Sequence, residues 1–172
     1  MRALADQVGV GARALEFAIL TAARTGEVIG ATWDEIDLDA ATWTIPKERM
    51  KGRREHRVFL GDGALAVLKA VEPFRTSGFV FPGGRKEKPL SNMAMLSTLK
   101  RMKRDDLTAH GFRSTFRDWA AETTDYASEV VEMALAHAVA NKVEAAYRRG
   151  DLFEKRKRLM SDWSNFAAAG GR

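Results

Sequence analysis

Cysteine is missing from all 172 residues, which excludes disulfides, thiolate-bound metals and a cysteine nucleophile and removes any demand for an oxidising compartment. Histidine is scarce too: three residues are few for a metal enzyme. Long apolar runs are lacking. The strongest early one, ALEFAILTAA, is broken by Glu16 and falls short of the roughly 20 residues that span a bilayer. No signal-peptide pattern precedes it. A soluble cytoplasmic protein with no membrane partner is the expectation.

What is present is 45% hydrophobic and 9% aromatic residues, enough for one well-cored domain. Lys and Arg outnumber Asp and Glu by 28 to 23, a formal charge of +5 with a pI near 9.7, which points to a polyanionic partner without naming one. There is no internal repeat and no long linker.

Leu15, Ala18, Ile19 and Ala22 fall at helical spacing over 12–23, and the glycine of RTGE could cap that helix. A short helical piece at 33–36, a turn at 37–40 and a strand at 42–45 follow, stopped by Pro46. The basic loop KERMKGRREHRVFL runs into a strand at 56–60 to make a hairpin. GDGALAVLKAVEP reads as a helix closed by Pro73, SGFVFPGG as a third short strand, and KPLSNMAMLSTLKRM as a helix capped by Ser91. Beyond it only helices are expected, at 110–122, 128–137, 142–148 and 152–168, with a frayed tail over 167–172. The fold class is thus mainly α with a small three-stranded antiparallel sheet, and the core lies between about 12 and 166.

Several residues invite a chemical reading, and each also has a structural one. In TAHGFRSTFRDWAAE the residues Phe112, Phe116 and Trp119 form a core-like stripe, while His110, Arg113 and Arg117 fall on another side, which a solvated basic face would equally explain. Arg24 follows an apolar helix, where its charge would meet the negative end of the helix dipole. His137 aligns with Val130 and Ala134 as a core histidine would, and Tyr147 follows Val143 at a core-like spacing. Lys51 stands among Lys47, Arg49, Arg53, Arg54 and Arg57, a solvated turn or a phosphate-contacting patch.

Taken in order, Arg24 in ARTGEVIGATWDEID, Lys51 in MKGRREHRVFL, His110 and Arg113 in TAHGFRSTFRDWA, His137 in MALAHAVANKVEAAY and Tyr147 in AAYRRGD resemble the catalytic domain of the tyrosine recombinases, in particular prophage and genomic-island integrases. The resemblance implies that Arg24 and Arg113 clamp the scissile phosphate, that Lys51 is the hairpin lysine, and that His110 and His137 are the active-site histidines. It makes Tyr147 the nucleophile and Glu27 a support behind the site. Lys47, Arg49, Arg53, Arg54 and Arg148 are the expected DNA contacts. Phe59 stands where the family commonly has proline, and Ala138 where a larger polar residue is common.

The chemistry suits those residue types. Attack on a phosphodiester builds charge on the non-bridging oxygens, which two forked guanidiniums match. A tyrosine of ordinary pKa ~10 needs a base or cationic surroundings, and a lysine can protonate the leaving 5′ oxygen. No metal or other cofactor is required, because the cations do what Mg²⁺ does in many nucleases, and a phosphotyrosyl link conserves the bond energy.

The implied activity is integration or excision of a mobile element at double-stranded attachment sites. The implied assembly is a tetramer on DNA in the full-length protein, with accessory DNA-bending proteins possible and a monomer for this chain alone. The resemblance implies that the family's amino-terminal DNA-binding domains are not part of this chain, so its DNA binding is expected to be weak and salt-sensitive. Type I topoisomerase-like cleavage, a non-catalytic DNA-binding module and a metal-free nuclease using His110 and His137 are the alternatives. The last helix, from Leu152 to Phe166, could pack on its own domain or dock on a neighbouring protomer.

Overall fold

Helix α2 (Val10–Thr21) is the centre of the helical packing, in contact with five of the other described helices. Ala12, Ala14, Leu15, Phe17, Ala18, Ile19 and Leu20 are all buried, so the helix is apolar on nearly every side rather than on one stripe. The computed structural model describes residues 1–137 and 150–170. The helix expected over 142–148, with Tyr147 and Arg148, lies outside the described residues.

A short α1 (Arg2–Ala5) precedes α2, and α3 (Thr25–Ile29) follows it after a sharp break. The glycine of RTGE is not the cap. α2 ends on Ala22 in the left-handed conformation (φ 49), and Gly26 lies inside α3. A 3-10 turn at Trp33–Glu35 leads into the sheet.

Three antiparallel strands, β1 (Ile36–Asp37), β2 (Thr42–Ile45) and β3 (His56–Phe59), lie in sequence order. The register pairs Trp43 with Val58 and Ile45 with His56, which puts those four residues on the face turned to the core and Thr44 and Arg57 on the other. The expected third strand is therefore corrected. Phe79 makes only an isolated bridge to Thr32, and Pro82, which has no N–H to give a ladder, bridges Pro89. Ile36–Asp37 completes the sheet instead.

Helix α4 (Asp62–Val71) buries Ala64, Val67, Leu68 and Val71, and a 3-10 turn carrying Pro73 stops it. Gly63 lets it approach α2: a Cβ there would meet both Leu20 Cδ atoms at 3.2 Å. α5 (Ala94–Arg101) starts later than expected, with Met93 rather than Ser91 at the cap; Ser91 serves only through its carbonyl, which accepts from the Ala94 N–H.

Helices α6 (Gly111–Thr123), α7 (Ser128–Ala134) and α8 (Phe153–Ala169) complete the domain. α8 packs on α2, α4, α7 and β3 of its own chain. Its Trp163 donates to the Ile19 carbonyl at 2.7 Å and lies edge-on to Phe116, with ring centroids 5.3 Å apart. Trp119 stacks on Phe166 beside it. The apolar stripe of this helix is thus packed within its own domain, as the first of the two alternatives has it. It runs past 166 to Ala169 and ends on Gly170, whose left-handed backbone is a helix stop that glycine adopts without strain. No helix among the described residues is long and apolar enough to cross a membrane.

Candidate active site

Arg24 does not sit on the end of α2. It is the N-cap of α3, and Glu27 in the first turn answers it twice: its carboxylate accepts from the Arg24 backbone N–H at 2.8 Å and from Nη1 at 2.6 Å. Glu27 is 6% exposed against 27% for the Arg24 side chain, so the carboxylate holds the guanidinium from the interior and leaves its other edge outward. That edge faces the carbonyls of Leu135 and Ala136, each 3.4 Å from Nη2.

Arg113 reaches the Leu135 carbonyl as well. It is buried on α6 beside Phe116 and Ala120, not part of a solvated basic face. Its Nη1 donates to the Ala22 carbonyl and its Nη2 to the Leu135 carbonyl at 2.7 Å. Burial, and then the charge of Arg24, pull its pKa down to about 10, and it remains a cation at neutral pH. Two guanidiniums from different elements therefore share one carbonyl acceptor, that of Leu135.

The end of α7 supplies that carbonyl through a Schellman stop. The His137 N–H bonds the Glu132 carbonyl at 2.9 Å and the Ala136 N–H bonds that of Met133 at 3.1 Å, with Ala136 left-handed (φ 49) where glycine is usual. The turn throws His137 out of the helix line. Its side chain is 39% exposed, so it is not a core histidine, and its Nε2 lies 3.4 Å from Arg113 Nη2.

The remaining expected residues are placed as follows. His110 is the exposed N-cap of α6, one turn before Arg113. Lys51 is exposed in the hairpin turn between β2 and β3 and makes no ion pair with a described residue. Lys47, Arg53 and Arg54 are exposed along the same hairpin. Arg49 departs from expectation: its guanidinium turns inward to the Glu35 carboxylate and the Glu27 carbonyl, so its donors are spent on the domain. Tyr147 and Arg148 are outside the described residues.

His56 was passed over in the sequence, although strand alternation with Val58 predicts an inward side chain. It lies near the Ala134 backbone, Arg113 and Glu27. Burial first, and then the charge of Arg156, lower its pKa to about 4. Arg57, on the outer face, grips Asp151 with both forks of its guanidinium at 2.8–3.0 Å. Buried Arg156 bonds the same carboxylate at 2.7 Å and the Arg57 carbonyl. Among the described residues no His, Asp and Glu group has the geometry of a metal site.

An arginine pair gathered around the end of one helix, with a histidine beside it, is an anion-binding arrangement suited to phosphate. The chain belongs to the phage integrase family, whose model it matches over residues 7–152. It is 38% identical to the prophage integrase IntA of Escherichia coli K12 over 88% of this chain and 37% of that protein. The chain thus spans well under half the length of that curated relative. The integrase from mycobacterium phage Brujita shares the fold, with TM-score 0.70 and 21% identity over 93% of this chain and 54% of that one. So does lambda integrase, solved as a tetramer bound to a Holliday junction, with TM-score 0.59 and 16% identity over 82% of this chain and 44% of that one.

Proposed function

We infer that this chain is the catalytic domain of a site-specific DNA recombinase. One observation carries the reading: Arg24 and Arg113, from distant parts of the sequence, converge on the Leu135 carbonyl with His137 at their edge. A phosphodiester there meets forked donors on its non-bridging oxygens, where charge builds during in-line attack.

In this reading Tyr147 attacks the phosphorus. The bond to the 5′ oxygen breaks as the 3′-phosphotyrosyl bond forms, and Lys51 gives the leaving oxygen its proton. His110 and His137 exchange the tyrosine proton and hold the phosphate, and Glu27 keeps Arg24 in place. Attack by another 5′ hydroxyl reverses the step and joins new strands, giving integration or excision. The other tyrosine is unsuited to the role: Tyr126 donates to Asp162 at 2.6 Å, and burial with that bond pushes its pKa up to about 12.

The partner is double-stranded DNA, met by Lys47, Arg53, Arg54 and Arg148, with a tetramer as the working assembly of the whole protein. The lambda integrase complex supports that analogy. The test is single-turnover cleavage of a nicked suicide duplex at low salt, with Tyr147→Phe as control. A covalent protein–DNA band lost in the variant is expected. Strand scission without any adduct, unaffected by Tyr147→Phe, would favour a nuclease. An adduct whose only product is relaxed DNA would favour a topoisomerase.

A further inference from the structure

The His137 imidazole is held between groups of opposite sign. Nδ1 lies 2.6 Å from Glu132 Oε2, and Nε2 lies 3.4 Å from Arg113 Nη2. A carboxylate only accepts and a guanidinium only donates, so the proton belongs on Nδ1 and the lone pair on Nε2. Glu132 is itself anchored, because Arg117 Nε donates to its other oxygen at 2.8 Å. Burial works to raise the Glu132 pKa, but the bonds and charges of Arg117 and His137 outweigh it and hold the carboxyl below its ordinary value. The backbone reinforces the pair through the His137 N–H on the Glu132 carbonyl.

We propose that Glu132, braced by Arg117, is a positioning residue for His137: it fixes the Nδ1–H tautomer and keeps Nε2 turned toward Arg113. The carboxylate also stabilises the imidazolium, so His137 can take a proton at Nε2 and donate it as a hydrogen bond to a phosphate oxygen as charge develops there. The tautomer follows from the geometry alone, while its use on phosphate rests on the recombinase reading. The other titratable groups around it are Arg113 and Arg117 on α6, Arg24 and Glu27 at the start of α3 and the neutral His56 on β3. The Glu27 carboxylate is bound to Arg24, so Glu132 is the carboxylate in contact with the imidazole.

The chain labelled with ¹⁵N-histidine, which has only His56, His110 and His137 to assign, gives the direct test by long-range nitrogen–proton correlation. His137 is expected in the Nδ1–H form when neutral. In Glu132→Ala, which removes the acceptor, the two neutral tautomers should become mixed. Arg117→Ala should mix them less. An Nε2–H tautomer in the unaltered chain, or an unchanged tautomer ratio in Glu132→Ala, overturns the proposal, and the first of these needs no variant to fold. On the nicked duplex, Glu132→Gln should cleave about tenfold more slowly at unchanged DNA affinity. The expected tautomer without any adduct from the unaltered chain would sink the recombinase reading and leave the positioning role standing. An adduct formed by a chain whose His137 ignores Glu132 would do the reverse.

Discussion

The chain's three histidines occupy three different settings: His110 caps a helix in solvent, His137 leans on a carboxylate at the arginine pair, and His56 is packed inward on a strand. His56 has a pH signature. Its pKa is about 4 folded against 6.5 for a free imidazole, so as pH falls below 6.5 the unfolded chain takes the proton and the folded chain does not. Stability should drop by about 3 kcal/mol between pH 6.5 and 4, with Glu132 starting to add its loss below pH 4.5 and Asp151 below pH 3.8. Denaturant titrations across that window should show the drop in the unaltered chain and a flattened profile in His56→Gln. Ala136, left-handed before His137, should accept glycine: Ala136→Gly is expected to gain about 0.5–1 kcal/mol by relieving the Cβ clash, read as a rise in melting temperature. At this scale the candidate residues stood out in the sequence by order and local context, and the structure brings Arg24, Arg113 and His137 together. The burial of Arg113 was not, because the carbonyls of Ala22 and Leu135 that make it tolerable come from other elements. The inward turn of Arg49 was hidden for the same reason, its partner Glu35 lying in the 3-10 turn before the sheet.

Helix α8 joins the chain's last segment to its first long helix. Trp163 is 2% exposed, reaches the Ile19 carbonyl and packs with Phe116, Trp119 and Phe166. Trp163→Ala should cost about 3–5 kcal/mol, a fall of roughly 10 °C in thermal midpoint. A shift of only a degree or two would mean that α8 does not belong to this core. The α6, α7 and α8 segments were readable from periodicity, with ends misplaced by a residue or a few. The sheet was readable in size but not in membership: SGFVFP has strand-like residues, yet Pro82 ends its pairing, while the two-residue β1 is too short to announce itself by alternation. α3 was missed because RTGEV looks like the end of a helix, and it begins one through the Glu27 answer to Arg24.

The whole molecule carries +5, and the structure divides its basic hairpin into cations facing water and one facing inward. Measured against salt, DNA affinity should fall log-linearly, and replacing Arg53 and Arg54 by alanine should reduce the slope by about 0.9 per residue. Arg49→Ala should leave the slope alone and lower stability instead, since Arg49 bonds Glu35 and the Glu27 carbonyl. The central claim is that two arginines gathered around the end of α7 present one phosphate to Tyr147. Its most direct test is to trap the adduct on a nicked duplex, digest it with trypsin and sequence the nucleotide-bearing peptide by mass spectrometry. The expected result is a 3′-phosphonucleotide on Tyr147, absent when Arg24 or Arg113 is replaced. A nucleotide on any other residue, or cleavage that survives loss of both arginines, would contradict it.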